Sequence, residues 1–213
     1  MDMTGTSQSP SRTEKLQRLF ELAAGQAGHF TVGQARELGY SPRSLAHHAN
    51  AGHIERQSRG FYRLVGVPAS SHEDVVAAWL RFASHGGVIS HDTALTLYEL
   101  TPSRSHDIHL TVSREHRPRT PRAKTAVRVH TTTVSLRRAD VTRRFGVHVT
   151  APARTIADVA DAGGDPSVVI EASARALATG LVSATELRSA ARHRAARVRQ
   201  LIERAIDEAH ARA

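Results

Sequence analysis

Residues 29–64 read HFTVGQARELGYSPRSLAHHANAGHIERQSRGFYRL, and the order of helix starts and stops inside them decides the fold. Thr31 and Gln34 are spaced for a capping box, in which the threonine hydroxyl accepts the backbone N–H three residues on and the glutamine reaches back. A short helix is therefore predicted from Val32, with Val32, Ala35 and Leu38 on its buried face. Gly39 ends it, because a left-handed helix terminus favours a residue without a Cβ. Ser41-Pro42 opens a second helix, serine as N-cap and proline at the first helical position, where its missing N–H has no intrahelical acceptor anyway. Two helices meeting across Gly39-Tyr40 have helix-turn-helix spacing.

The helical period puts Leu45, Ala46 and Ala49 on the inner side of the second helix, and Arg43, Ser44, His47 and Asn50 on the outer side. The outer set consists of donors and acceptors of the kind that reach base edges in a major groove, arginine to guanine and asparagine to adenine. Gly52 ends this helix. IERQSRGFYRL then alternates across a turn at Ser58-Arg59-Gly60, which predicts a two-stranded hairpin, a wing, with Ile54, Phe61 and Leu64 facing the core. Its tip and flanks carry Arg56, Arg59 and Arg63, placed to meet phosphates. The expected duplex-DNA contact set is Ser41, Arg43, Ser44, His47, Asn50, Arg56, Arg59 and Arg63. A small helical unit with a hairpin also serves as a protein-contact module, and the residues by themselves leave both uses open.

Upstream, Ser11 and Glu14 form another capping box, followed by a stripe of Leu16, Leu19, Phe20 and Ala23. Downstream, Ser71 is the expected cap of a helix with Val75, Val76, Trp79, Leu80, Phe82 and Ala83 inward. GGVISHDTALTLYEL is a further helix capped by Ser90 or Asp92. DIHLTVS, AVRVHTTTV and FGVHVT alternate and are rich in valine and threonine, so they predict strands. Helices follow from Thr150, over residues 166–181, from a capping box at Ser183 and Glu186, and over the C-terminal stretch around Val198, Leu201, Ile202 and Ala205. Residues 1–10 have neither a basic start nor an apolar run, so a disordered tail is expected and no signal peptide.

The 213 residues carry a net charge of +9 with no cysteine, which excludes disulfide scaffolding, thiol catalysis and cysteine zinc sites. Such a charge favours polyanionic partners through counterion release. It is spread along the chain: residues 1–67 hold eight basic and five acidic side chains, residues 68–161 thirteen and nine, and residues 162–213 eight and six. A candidate second basic surface comprises Arg114, Arg117, Arg119 and Arg122 between two predicted strands, Arg137 and Arg138 before the third, and Arg192, Arg194, Arg197 and Arg199 near the C-terminus. Each cluster could hold a phosphate backbone or an acidic partner, or form a solvated face.

Catalytic motifs are missing. The residues two before Lys15 and Lys124 are Thr13 and Arg122, so there is no D/E-x-K nuclease triplet, and there is no phosphate-binding P-loop, H-E-x-x-H or G-x-S-x-G. His106 and His109, with Asp107, are the nearest approach to a ligand cluster. They lie across a strand start, where alternate side chains point to opposite faces, so no metal and no cofactor are expected. No apolar run is long enough for a membrane span, and a cytoplasmic protein is expected.

From residue 14 to about 160 the succession of the winged segment, DVVAAWL, GGVISHDTALTLYEL, DIHLTVS, VRVHTTTV and TAPARTIADVAD resembles the AbiEi family, the antitoxins of type IV toxin-antitoxin systems. The resemblance implies a winged helix-turn-helix that represses its own operon at promoter repeats, and a following α/β domain that counters a nucleotidyltransferase-type toxin or bears on the toxin's RNA substrate. It puts the recognition-helix positions at Ser41, Arg43, Ser44 and His47 and the wing positions at Arg56 and Arg59, and it supplies no catalytic residue. The expected architecture is α+β: a tail over 1–10, a winged helix-turn-helix over 11–67, a mixed α/β domain with a small sheet over 68–161, and C-terminal helices packed on it over 162–213. The other function that the residues allow is a free-standing winged-helix regulator whose second part binds an effector or dimerises. On DNA the chain would act as a monomer or cooperatively.

Overall fold

The Ser11 hydroxyl accepts the Glu14 N–H at 3.2 Å while the Glu14 carboxylate accepts the Ser11 N–H at 2.8 Å, and this reciprocal cap starts α1 (Arg12–Ala24). A computed structural model describes residues 11–102, 107–116 and 126–212; the expected tail over 1–10, and His106, Arg117, Arg119, Arg122 and Lys124, lie outside them. The chain forms two compact units that divide between Arg81 and Phe82.

In the first unit, β1 (His29–Thr31) runs directly into α2 (Val32–Glu37), because Thr31 is at once the last strand residue and the helix cap, its hydroxyl accepting the Gln34 N–H at 3.2 Å. Gly39, at φ +82°, makes the turn. Ser41 then caps α3 (Pro42–Asn50), accepting the Ser44 N–H at 3.1 Å. The wing follows as β2 (Ile54–Ser58) and β3 (Phe61–Leu64). β1 joins it to give a three-stranded antiparallel sheet in the order β1-β3-β2, with a bulge between Arg56 and Ser58. The third strand was not legible in the sequence, since three residues are too few to show a period. The core holds Leu19, Ala23, Phe30, Ala35, Tyr40, Leu45, Ile54 and Leu64, each large apolar member contributing about 1.5–3 kcal/mol on burial. α1 departs from expectation: Leu19 and Ala23 are buried, but Leu16 and Phe20 remain 48% and 52% exposed. α4 (Glu73–Ala83) starts two residues after its expected cap, because the Glu73 N–H donates to the Ser70 carbonyl and closes a turn over Ser71 and His72.

The second unit is built on a five-stranded mixed sheet in the order β6-β5-β4-β8-β7. Its elements in chain order are β4 (Val88–Ile89), α5 (His91–Leu97), β5 (Ile108–Ser113), β6 (Val127–Thr132), β7 (Val141–Arg144), β8 (Val147–Thr150), α6 (Pro152–Asp161), α7 (Pro166–Ala178), α8 (Ala184–Ala191) and α9 (Ala196–Ala211). β5, β6 and β8 are the three strands expected from alternation. β4, of two residues, and β7, rich in arginine, are additional. β4 pairs antiparallel with β5 and parallel with β8, so it sits at the sheet centre and is buried on both faces. The helices behave as their stripes require: α7 packs along α9 and α6 against α5 and α8, burying Val169, Ala176, Leu187, Val198, Ile202 and Ile206. Together these elements make the chain α+β. Among the described residues, no helix is long and apolar enough to cross a membrane.

Candidate nucleic-acid interface

α3 is fixed on one side only. Leu45 is fully buried, whereas Ser41, Arg43, His47 and Asn50 are exposed and Ser44 is half-buried. Ala46, expected inward, is also exposed, which narrows the inner contact to Leu45 and Ala49 and widens the outer face. The helix is held at both ends, by the Ser41 cap at its start and at its finish by Gly52 at φ +75°, whose N–H donates to the Ala49 carbonyl at 3.1 Å. Among the described residues neither the Arg43 nor the Asn50 side chain makes a hydrogen bond or ion pair, so their polar groups are free to meet base edges. His47 makes only a ring contact, edge-on to His48 at 5.9 Å between centroids.

The wing presents Arg56 on β2 and Arg59 at its turn, both exposed and both without a carboxylate partner among the described residues. Arg63 is placed differently from expectation. Its Nε donates to Glu73 at 2.9 Å and its Nη2 to the Val67 carbonyl at 2.8 Å, so the flanking strand spends this guanidinium inside the domain. The same Glu73 oxygen lies 3.2 Å from His29 Nε2, and the His29 ring stacks on Phe61 at 5.1 Å between centroids. Burial lowers the His29 pKa, with Glu73 opposing that shift. Arg81 also lies over this Phe61 ring, 5.2 Å from its centroid. These contacts anchor the base of the wing to α4.

The described members of the candidate second basic surface differ in what they are paired with. Arg114 and Arg138 are exposed with no carboxylate partner among the described residues. Arg137 chelates Asp140, which holds that carboxyl below its ordinary pKa. In the arginine-rich run before and into α9, Arg194 reaches back to Asp158 and, at 3.1 Å, to Asp161, and it is only 12% exposed. Arg197 donates to the Ala160 and Asp161 carbonyls and Arg199 to the Arg194 carbonyl. Of this run, Arg192 alone is exposed with a side chain that makes no hydrogen bond or ion pair among the described residues. Asp158 also accepts Arg154 at 2.9 Å, so one buried carboxylate is shared by two guanidiniums, with Asp161 supplying a second negative charge.

A cluster that sequence reasoning missed lies in the second unit. His91, His109 and His130 converge from α5, β5 and β6, with the His91 and His130 rings stacked at 3.5 Å and His109 at 5.2 Å from His130. Only the parallel register of β5 and β6, with Thr111 opposite His130, brings them together, and nothing local in the sequence foretells it. His91 sits at φ +51°, a left-handed conformation unusual for a side-chain-bearing residue. The buried Ser90 hydroxyl accepts from Thr111 at 2.8 Å and lies 2.9 Å from His91 Nδ1. Burial, reinforced by the neighbouring imidazoles, pushes the His91 pKa down to about 3, and burial likewise lowers His109 and His130. These are neutral imidazoles at physiological pH. Among the described residues no group of three or more histidine, aspartate or glutamate side chains is arranged to hold a metal ion.

The fold resembles the crystal structure of the RV2827C protein from Mycobacterium tuberculosis, with a TM-score of 0.60 over 94% of this chain and 78% of that chain, at 12% identity. That likeness concerns the fold. No curated protein matches the sequence. Residues 17–65, which run from α1 to the end of the wing, match the family described as "Transcriptional regulator, AbiEi antitoxin". The match falls within the segment whose sequence resembles that family.

Proposed function

We propose that the chain is a non-catalytic, cytoplasmic DNA-binding antitoxin of a type IV toxin-antitoxin system that represses its own operon and counters a nucleotidyltransferase-type toxin. In this reading α3 enters the major groove of operator repeats. Arg43 and Asn50 then meet base edges, Ser41, Ser44 and His47 complete the contact, and Arg56 and Arg59 of the wing hold flanking phosphates. The observation that carries it is the exposed outer face of α3 beside two uncommitted wing arginines. The family description over residues 17–65 supports both halves, regulator and antitoxin. The second unit would act on the toxin or its RNA substrate, with Arg114, Arg138 and Arg192 as its available cations.

Two measurements test the two halves separately. A gel-shift titration on the DNA upstream of the gene, at several salt concentrations, should show specific binding; Arg59→Ala should weaken all DNA about equally and lower the salt slope by about one. Binding no tighter to that DNA than to random duplex would end the repressor half. Co-expression with the product of the neighbouring gene should restore growth when that product is a toxic nucleotidyltransferase, and truncation after Arg81 should abolish the rescue while DNA binding persists. Rescue that survives the truncation would end the assignment of the second unit.

A further inference from the structure

One flank of α3 borders a cavity of about 720 Å³ within the first unit, and the DNA reading makes no use of its walls. Every large apolar side chain that this unit leaves exposed among the described residues, Leu16, Phe20 and Val65, lines it. Leu16 and Phe20 are the two members of the α1 stripe that the core does not take up. Their exposure therefore has a location, and the location is a cleft of the size that encloses a small ligand, about 300–1,000 Å³.

The polar part of the wall carries one permanent charge, that of Lys15. Lys15 extends across the helix-turn-helix corner, where a Cβ placed on Gly39 would lie 3.2 Å from its Cε and Nζ. Its ammonium makes no ion pair or hydrogen bond among the described residues. His47, His48 and His53 follow in a chain, with successive ring centroids 5.9 and 5.6 Å apart. No aspartate or glutamate lines the cavity. A half-buried ammonium with no counter-ion, set in apolar walls, matches a ligand with a carboxylate or sulfonate head on an aromatic or aliphatic body.

We propose that this cavity binds a small amphipathic organic anion, and that its occupancy opposes the contact of α3 with DNA. Ser44 and His47 belong to the cavity wall and to the outer face of α3 at once, so a bound anion stands within a Debye length of the phosphates that α3 approaches. The second half of the proposal rests on the DNA reading; the first half does not.

The test uses the full chain and two probes, the fluorescent anion 8-anilinonaphthalene-1-sulfonate and decanoate. Saturable binding of one dye per chain, displaced by decanoate, is expected. Lys15→Met should weaken it about tenfold or more, the effect of losing a charged hydrogen-bond partner, and Phe20→Glu should abolish it. Unsaturable binding, or equal affinity in all three proteins, overturns the site. If instead the chain is dimeric and Phe20→Glu makes it monomeric, a second copy fills the cleft and the proposal fails. In gel shifts, saturating decanoate should weaken operator binding about fivefold or more. Operator binding that ignores decanoate overturns the coupling, whereas dye binding by a chain with no affinity for DNA would fail the DNA reading and spare the cavity.

Discussion

In the first unit Arg43, Arg56 and Arg59 end in solvent without a carboxylate partner among the described residues, whereas in the second Arg137, Arg154, Arg188, Arg194 and Arg197 each close on an aspartate or glutamate. Both stretches contribute to the same excess of positive charge in the sequence. What separates them is whether folding supplies the counter-ion. α6 delivers Asp158 and Asp161 to the arginines around α9 across more than thirty positions of sequence. Among the described residues, no acid is brought to pair with Arg43 on the outer face of α3. Net charge therefore says that a polyanion is welcome, but only tertiary structure says where.

The contrast is most severely tested at Asp158. Asp158→Ala takes from the partly buried Arg154 its only carboxylate among the described residues and leaves the partly buried Arg194 with Asp161 alone, and the loss should cost up to about 3–5 kcal/mol of stability, read from the midpoint of denaturant unfolding. A loss under about 1 kcal/mol would mean that the pairs are solvated and that the second unit's arginines are as available as the first unit's.

Acid should come next. His91 has a folded pKa of about 3 against an ordinary 6.5, so the unfolded chain takes up its proton first. The stability that this neutral imidazole contributes is fully present above about pH 6.5 and is lost as pH falls towards 3, on the order of 1 kcal/mol per unit of pH. His109 and His130 shift in the same direction. A series of unfolding midpoints between pH 7 and 4 should show the decline. His91→Asn, which tolerates the left-handed backbone, should flatten it.

Smaller effects separate the two kinds of arginine directly. Arg43→Ala should weaken specific DNA binding by about 1–3 kcal/mol and leave the unfolding midpoint within about 0.5 kcal/mol of the parent, because nothing among the described residues uses that guanidinium. Arg137→Ala should do little to either, since water screens an ion pair whose guanidinium is exposed. A clear loss of DNA affinity with Arg137→Ala would move the interface, or part of it, onto the second unit.

Much of this was legible because it is local. The caps at Ser11, Thr31, Ser41 and Ser183 couple residues three apart, and the turn at Gly39 follows from a conformational preference of one residue. Sheet content was legible where alternation ran long enough, as in β5 and β6, and not in β1 or β4, where two or three residues carry no period. The outward set on α3 could be drawn from helical geometry. The engagement of Arg63 by Glu73, the carboxylates that take Arg194, and the convergence of His91, His109 and His130 could not, because each depends on register or packing between distant segments. The exposure of Leu16 and Phe20 was hidden for the same reason: an apolar stripe announces a buried face without saying how wide the partner is.

The clasp formed by His29, Arg63 and Glu73 at the foot of the wing has a thermodynamic corollary. With α3 capped at both ends and the hairpin tethered at its root, the reading head loses little further conformational freedom on meeting a duplex. Its association should then carry the modest heat-capacity change of rigid docking and not the large negative one of a segment that folds as it binds.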